Sequence, residues 1–227
     1  MRRRDFIAVV GGLAAAWPLA GRAQQTGRLP TIGVLGAATA AAQAPWTAAF
    51  ETRLHDLGWT NGRTVVIEYR WAEGRSARFV EIATEFVRLS VDAIFTPGTE
   101  PTIAAKQVTS AVPIVFVGAI DPIGVGLVAS LARPGGNVTG LSLQSSELAG
   151  KRVELLREVL PNLRKLAILA NVSNPGSVLE ASEAEGAARA LGLDVAKLAI
   201  RRAEDIAPAF EVIQGTRMHC MLSSIPS

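Results

Sequence analysis

The strongest constraint on the fold is an alternation between short, continuous apolar segments and longer segments with helical periodicity. Apolar runs at 31–36, 113–117 and 165–170 are each followed by a segment in which apolar residues recur every three or four positions. Strands that are apolar on both faces are typical of parallel sheets, because the crossover between parallel strands carries a helix that covers the sheet. The chain is therefore predicted to be an α/β protein whose parallel sheets are flanked by helices.

The remaining elements follow the same alternation. Further strands are predicted at 64–71, 91–95, 138–143 and 193–200. Helices are predicted at 45–57, 76–89, 101–110, 121–131, 147–160, 175–191 and 204–213. Ser76 is the expected N-cap of the second of these helices, because its hydroxyl can accept a hydrogen bond from a free helical N–H.

The chain is expected to form two lobes. A long connection containing Pro134, Gly135 and Gly136 separates two series of elements, which predicts an N-terminal α/β lobe at 31–142 and a C-terminal one at 143–214. The second series holds two clear strands, too few for a well-covered parallel sheet, so the second lobe is predicted to be incomplete. After Gly215 the alternation stops, and residues 215–227 are predicted to be an irregular tail.

The first 23 residues have the pattern of an export signal. Arg2, Arg3 and Arg4 precede an apolar stretch of about 15 residues, which is shorter than the roughly 20 residues that span a bilayer. Small residues before Gln24 predict cleavage near Ala23, followed by a polar linker at 24–30. The residues RRDFI also resemble the twin-arginine export consensus. We therefore expect a periplasmic mature chain, with an uncleaved anchor as the alternative.

Composition argues against several classes of protein. Four of the 23 basic residues and one of the 20 acidic residues lie in the first 23 positions, so the remainder carries equal numbers of each. A neutral body without a basic stripe disfavours nucleic acid as a partner. A single Cys and two His disfavour a disulfide scaffold and a metal site built on Cys or His. No metal and no cofactor are expected.

Candidate binding residues lie in the loops that follow the predicted strands. Ligands of open parallel sheets bind beyond the carboxyl ends of the strands, where loops lead into helix N-termini. These loops contain small and polar residues that can hold a carboxylate or an ammonium group, and turn or capping roles explain many of them equally well. The candidate ligand-binding residues are Gly36, Gly98, Thr99, Glu100, Asp121, Asn171 and Asn174.

Motifs for catalysis are absent or weak. The sequence contains no dinucleotide fingerprint, no phosphate-binding loop and no G-x-S-x-G nucleophile elbow. His55 lies in a predicted helix without a Ser or Cys close by in sequence, and we expect it to be an exposed helical residue. No catalytic residue is predicted, and the chain is expected not to be an enzyme.

Three segments resemble one known family. They are DPIGVGLVASLARPGGNVTG at 121–140, EYRWAEG at 68–74, and the opening RRDF with WPLA at 17–20. Together they are similar to the ABC-transporter substrate-binding proteins related to the tryptophan- and tyrosine-binding periplasmic proteins. The resemblance implies a type I periplasmic-binding-protein fold, in which two α/β lobes enclose a ligand.

The resemblance also implies a function in ligand binding without catalysis. The expected ligand is an amino acid or a related carboxylate, with its carboxylate near Thr99, its ammonium near Asp121, and Asn171 and Asn174 closing from lobe two. The closed protein is expected to be a monomer that docks on a membrane ABC permease. Similar proteins are longer, so weak binding or none is predicted for this chain. The alternatives are an exported ligand-sensing module and an exported α/β hydrolase.

Overall fold

The first sheet is assembled from the N-terminal half of the chain. The computed structural model describes residues 28–143, 145–216 and 218–222. Five parallel strands form this sheet in the order β2-β1-β3-β4-β5. The elements are β1 Thr31–Gly36, α1 Ala40–Asp56, β2 Val66–Trp71, α2 Arg78–Arg88, β3 Ala93–Pro97, α3 Thr99–Val108, β4 Ile114–Ala119 and β5 Val138–Ser142.

Helices cover the first sheet unequally on its two faces. Helix α2 buries a stripe that includes Phe79 and Phe86, which pack with Ile94, Ile114 and other buried residues of the main core. On the opposite face, α1 contacts the sheet through Phe50, whose ring stacks on Phe95 with centroids 4.8 Å apart. The main core therefore lies on the α2–α3 side.

The second sheet has three parallel strands in the order β7-β6-β8. Its elements are α4 Ser145–Val159, β6 Lys165–Asn171, α5 Pro175–Ala190, β7 Asp194–Ile200, a short 3₁₀ helix Ala203–Asp205, α6 Ile206–Thr216 and β8 His219–Leu222. Strand β6 is central, and its last six residues are buried on both faces. Helices α4 and α5 pack on one face with Leu166 and Ile168, while α6 packs on the other through Ala209 and Ile213. The predicted α/β class with parallel, helix-flanked sheets is confirmed.

The two lobes touch at the start of α5. A Cβ placed on Gly176 would lie 2.6 Å from Cβ of Ile120, the residue directly after β4. Glycine is required here because the helix N-terminus of one lobe approaches the backbone of the other this closely. None of the helices in the described part of the chain is long and apolar enough to cross a membrane.

Two of the sequence predictions for helices are wrong. Residues 121–131 form successive turns instead of a helix. Asp121 has a positive φ of 42°, and Leu127 N–H donates a hydrogen bond to Pro122 O, five residues earlier. Ser76 does not cap α2, whose N-cap is Ala77; the Ser76 hydroxyl instead donates to a carboxylate oxygen of Glu100 at 3.1 Å.

The prediction of an irregular tail at 215–227 is also wrong over part of its length. Helix α6 continues to Thr216, and β8 pairs with β6 from His219 to Leu222. Met221 is buried, and Cys220 is partly buried, which raises the pKa of its thiol. A strand of four residues is stabilised mainly by its neighbour, so the sequence pattern was too short to reveal it. Residues 223–227 and the predicted signal peptide at 1–23 lie outside the described residues.

Candidate ligand-binding cleft

A cavity of about 670 Å³ lies where the carboxyl ends of the strands from both sheets meet. Lobe one lines it with the loops that follow β1, β2, β3 and β4, and lobe two lines it with the loops that follow β6 and β7. This position agrees with the general rule for parallel α/β sheets, in which loops at the carboxyl edge form the binding site. The volume suits a small organic molecule.

The N-terminus of α3 forms the centre of the lobe-one wall. Gly98 is its N-cap, with a φ of +92° that L side chains rarely adopt, and its N–H donates to Val117 O at 2.8 Å. The N–H groups of Thr99 and Glu100 occupy the first turn, where a helix offers no backbone acceptor. These two N–H groups and the positive end of the helix dipole make this wall suited to an anion.

Buried threonines hold this helix N-terminus in place. Thr99 is buried, with 1% of the residue exposed, and its hydroxyl accepts a hydrogen bond from Ile120 N–H at 2.9 Å. Thr102 donates to Gly98 O at 2.6 Å, and its hydroxyl lies 2.8 Å from that of Thr96. These bonds tie the N-terminus of α3 to β3 and to the residue that follows β4.

Glu100 connects the two lobes across the cavity. Its Oε2 accepts from the Ser76 hydroxyl at 3.1 Å, and its Oε1 accepts from Asn171 Nδ2 at 3.3 Å. Asn171 belongs to the end of β6, in lobe two, and is buried. This carboxylate therefore forms a polar link between the two walls.

The lobe-two wall is held by asparagines and a carboxylate acting on the backbone. Oδ1 of Asn171 accepts from Ser173 N–H, and Oδ1 of Asn174 caps α5 by accepting from Gly176 N–H, both at 3.0 Å. Asp205 accepts from Arg201 N–H at 2.7 Å and from Arg202 N–H at 3.0 Å. These two backbone bonds lower the pKa of Asp205.

The charged groups in the cavity wall differ in their pairing. Glu73 is neutralised by Arg75 at 2.9 Å and by Arg78 at 3.2 Å. Arg201 and Arg202 are exposed and form no ion pair within 4 Å with any carboxylate of the described chain. Lobe two therefore adds two exposed cationic residues to the cavity wall, next to the Asp205 carboxylate, whose pKa both arginines help to lower.

Five of the seven residues predicted to bind ligand line this cavity: Gly98, Thr99, Glu100, Asn171 and Asn174. Gly36 and Asp121 are outside its lining. Gly36 packs under Trp71, since a Cβ there would lie 2.0 Å from a ring carbon. Asp121 closes a turn by accepting from Gly124 N–H at 2.9 Å.

Sequence reasoning missed the lining residues Glu73, Ser76, Arg201 and Arg202. The signal for the arginines was present, because they follow a predicted strand and the same carboxyl-edge rule applies to that loop. His55 lies away from the cleft, on a shallow surface depression beside Trp59. Within the described ranges, no group of three His, Cys, Asp or Glu side chains is placed to hold a metal ion.

Comparisons with known proteins agree with this geometry. A family model described as ABC transporter substrate binding protein matches residues 34–222. A tyrosine-binding protein from Clostridioides difficile is 28% identical over 166 residues, which is 73% of this chain and 48% of that protein. The chain thus spans about half the length of the curated relative that it matches.

Two solved structures have a similar fold. A conserved domain protein from Vibrio cholerae superposes with a TM-score of 0.76 at 27% identity, over 83% of this chain and 63% of that one. The ABC domain from Streptococcus pneumonia in complex with L-Trp gives a TM-score of 0.72 at 25% identity, with the same coverage of both chains. The family match extends over most of the chain, and its members are solute-binding proteins, not a class of enzymes. The chain belongs to the ABC transporter substrate-binding protein family and has the α/β architecture of a type I periplasmic binding protein.

Proposed function

We propose that this chain binds an amino acid or a related small carboxylate in the interlobe cleft and acts as the solute-binding component of an ABC importer. The observation that carries the proposal is the cleft itself, which is lined by a helix N-terminus of lobe one and by two exposed arginines of lobe two. Both features favour an anionic group on the ligand. Family membership supports the same conclusion.

Each end of an amino acid has a matching group in the cleft. The ligand carboxylate accepts from the N–H groups of Thr99 and Glu100, and Arg201 and Arg202 lie on the facing wall. The ligand ammonium meets the Glu100 carboxylate, which takes the role that the sequence assigned to Asp121. Asn171 and Asn174 bind from lobe two. The tyrosine-binding relative and the L-Trp complex favour an aromatic amino acid as the side-chain class.

Binding alters the equilibrium between open and closed lobes. A ligand stabilises the closed form in proportion to its extra affinity for that form. The Glu100–Asn171 hydrogen bond already joins the two lobes across the cleft. A zwitterionic ligand adds further polar contacts between the lobes and so stabilises the closed form. In this proposal the chain is exported by residues 1–23, works in the periplasm and delivers its ligand to a membrane permease.

Isothermal titration of the full chain with the twenty amino acids and aromatic carboxylic acids tests the proposal. We expect one member of the panel to give saturable 1:1 binding. A folded chain that binds no panel member with a Kd below about 1 mM, a binding free energy of about 4 kcal/mol, contradicts the proposal. The matched variant is Glu100→Gln, which keeps one oxygen acceptor, replaces the other with an NH2 donor and loses the charge; it should bind the amino-acid ligand more weakly.

A further inference from the structure

Most of the large apolar residues in the cleft lining are already covered by their own lobe. Phe79, Ile120 and Ile200 line the cavity, yet each is buried, with at most 6% of the residue exposed. Phe79 belongs to the main core of lobe one, and Ile200 packs with Ala209 and Ile213 in lobe two. These three lining residues therefore offer little apolar surface to a ligand.

Leu143 differs from these residues in its exposure. It lines the same cavity and is 55% exposed, and no other large apolar residue that the described part of the chain contributes to the lining is as open. A single apolar residue on a convex surface needs no explanation, but Leu143 lies in a concave site. Ligand pockets combine apolar contact surface with a few polar groups that fix orientation, and Leu143 supplies the apolar part here.

The backbone fixes the position of Leu143 at the junction of the two lobes. Leu143 directly follows β5 and lies in the short connection to α4, the first helix of lobe two. Its N–H donates to Ala119 O, at the end of β4, at 3.0 Å. This bond continues the pairing of β4 with β5, so Leu143 is held at the carboxyl edge of the first sheet, where ligands of parallel sheets bind.

A glycine lies directly beside the Leu143 side chain. Gly118 also lines the cavity and has a φ of +73°, in the region that favours glycine. A Cβ placed on Gly118 would lie 3.7 Å from Leu143 Cδ1, which is a van der Waals contact. Because glycine has no side chain, this flank of Leu143 stays open to the cavity.

We propose that Leu143 is the contact surface for the side chain of the ligand and selects amino acids whose side chain is large and apolar. The inference rests on the proposed function, in which the N-terminus of α3 and Glu100 bind the charged groups of the ligand. Gly98 N–H donates to Val117 O, and Val117 directly precedes Gly118. The helix N-terminus and Leu143 are therefore neighbours on one wall, so that one small ligand reaches both.

Isothermal titration of the full chain and its variants with L-tryptophan, L-tyrosine, L-phenylalanine and L-leucine tests the inference. We expect Leu143→Ala to raise the dissociation constant of the tightest-binding ligand by about tenfold. One methylene group in an apolar pocket discriminates by about 10- to 200-fold, and an open site belongs at the lower end of that range.

Two further variants separate apolar contact from a general disturbance of the protein. Leu143→Met keeps a large apolar side chain and should bind as the unsubstituted chain does. The matched control is Leu148→Ala, at a position on α4 that is 57% exposed and outside the cavity lining. It should leave the affinity unchanged. Circular dichroism of the variants checks that each is folded.

Failure of this inference is distinguishable from failure of the proposed function. A folded chain that binds no amino acid or aromatic carboxylic acid contradicts both. A tightest ligand with a short, polar or charged side chain, or unchanged affinity in Leu143→Ala, overturns the role of Leu143 and leaves the proposed function in place. Equal losses in Leu143→Ala and Leu143→Met, or in Leu143→Ala and Leu148→Ala, also overturn it, because they show a disturbance that does not depend on apolar contact.

Discussion

The two walls of the cleft are built in different ways. In lobe one, buried hydroxyls of Thr96, Thr99 and Thr102 tie the N-terminus of α3 to the neighbouring strands. In lobe two, Asn171 and Asn174 organise short loops, and the two arginines extend into solvent. The difference separates a fixed wall, which presents backbone N–H groups, from an adaptable wall, which presents long charged side chains.

Under the proposed function, this difference gives the two lobes different tasks. In that proposal, N–H groups that hydrogen bonds already hold in place lose little conformational entropy when an anion binds, which favours initial capture by lobe one. Exposed arginines lose side-chain entropy when they bind a ligand. Their net contribution to affinity is therefore expected only when the lobes are closed around the ligand. Substitutions in the fixed wall should therefore affect folding stability most, and substitutions at the arginines should affect affinity most.

The largest effect on stability is expected for Thr99→Val. The substitution removes the acceptor of Ile120 N–H from a buried site, and a buried unsatisfied donor costs about 1–3 kcal/mol. Urea unfolding measures the change in the free energy of unfolding. Thr99→Ser keeps the acceptor and should lose less stability. Equal losses in the two variants would show that the hydrogen bond does not fix this wall.

A second substitution tests the contact between the lobes. Gly176→Ala places a methyl group against Ile120, and overpacking of this kind costs about 1–3 kcal/mol. Gly186, in the middle of the same helix, has open space around its Cα, so Gly186→Ala should raise stability by about 0.5–1 kcal/mol. Thermal unfolding of both variants compares them. Stabilisation by both alanines would contradict the close approach of α5 to lobe one.

A smaller loss is expected at the cap of α5. Asn174→Ala removes the acceptor of Gly176 N–H and should cost about 1 kcal/mol of stability. Asn174→Asp keeps an oxygen at that position and should retain most of the stability. The comparison is made by urea unfolding at neutral pH. An alanine variant as stable as the original chain would show that the Asn174 cap does not stabilise this wall.

The smallest effect on stability is expected for the paired substitution of Arg201 and Arg202 by Ala. Both residues are exposed and should change the free energy of unfolding by less than about 0.5 kcal/mol. Affinity for the ligand should nevertheless fall about tenfold, because a charge-assisted contact is lost. Arg53→Ala, at an exposed position on α1, is the control and should leave affinity unchanged. Unchanged affinity in the double variant would assign ligand binding to the fixed wall alone.

Sequence reasoning succeeded where one segment determines its own structure. The continuous apolar run of β6 and the periodic stripe of α2 carry their signals locally, and both elements were predicted. It failed at 121–131, where apolar residues suggested a helix but Asp121 and the following Pro and Gly residues form turns. It also missed β8, because four residues become a strand through pairing with a distant neighbour.

The same distinction applies to the cleft. Gly98 and Thr99 were found because a loop between a strand and a helix identifies the carboxyl edge from sequence alone. Asp121 also follows a strand, but its side chain turns back onto Gly124. Arg201 and Glu100 line one cavity because of how the two lobes are positioned relative to each other. No local sequence pattern predicts that relative position.

An NMR titration tests most directly whether both walls of the cleft bind one ligand. The titration follows the backbone amides of Thr99 and Glu100 together with the side-chain amides of Asn171 and Asn174 as the panel ligand is added. Shifts in both sets that saturate with one common dissociation constant are predicted. Shifts confined to one lobe, or centred on the depression beside His55, would contradict binding by both walls.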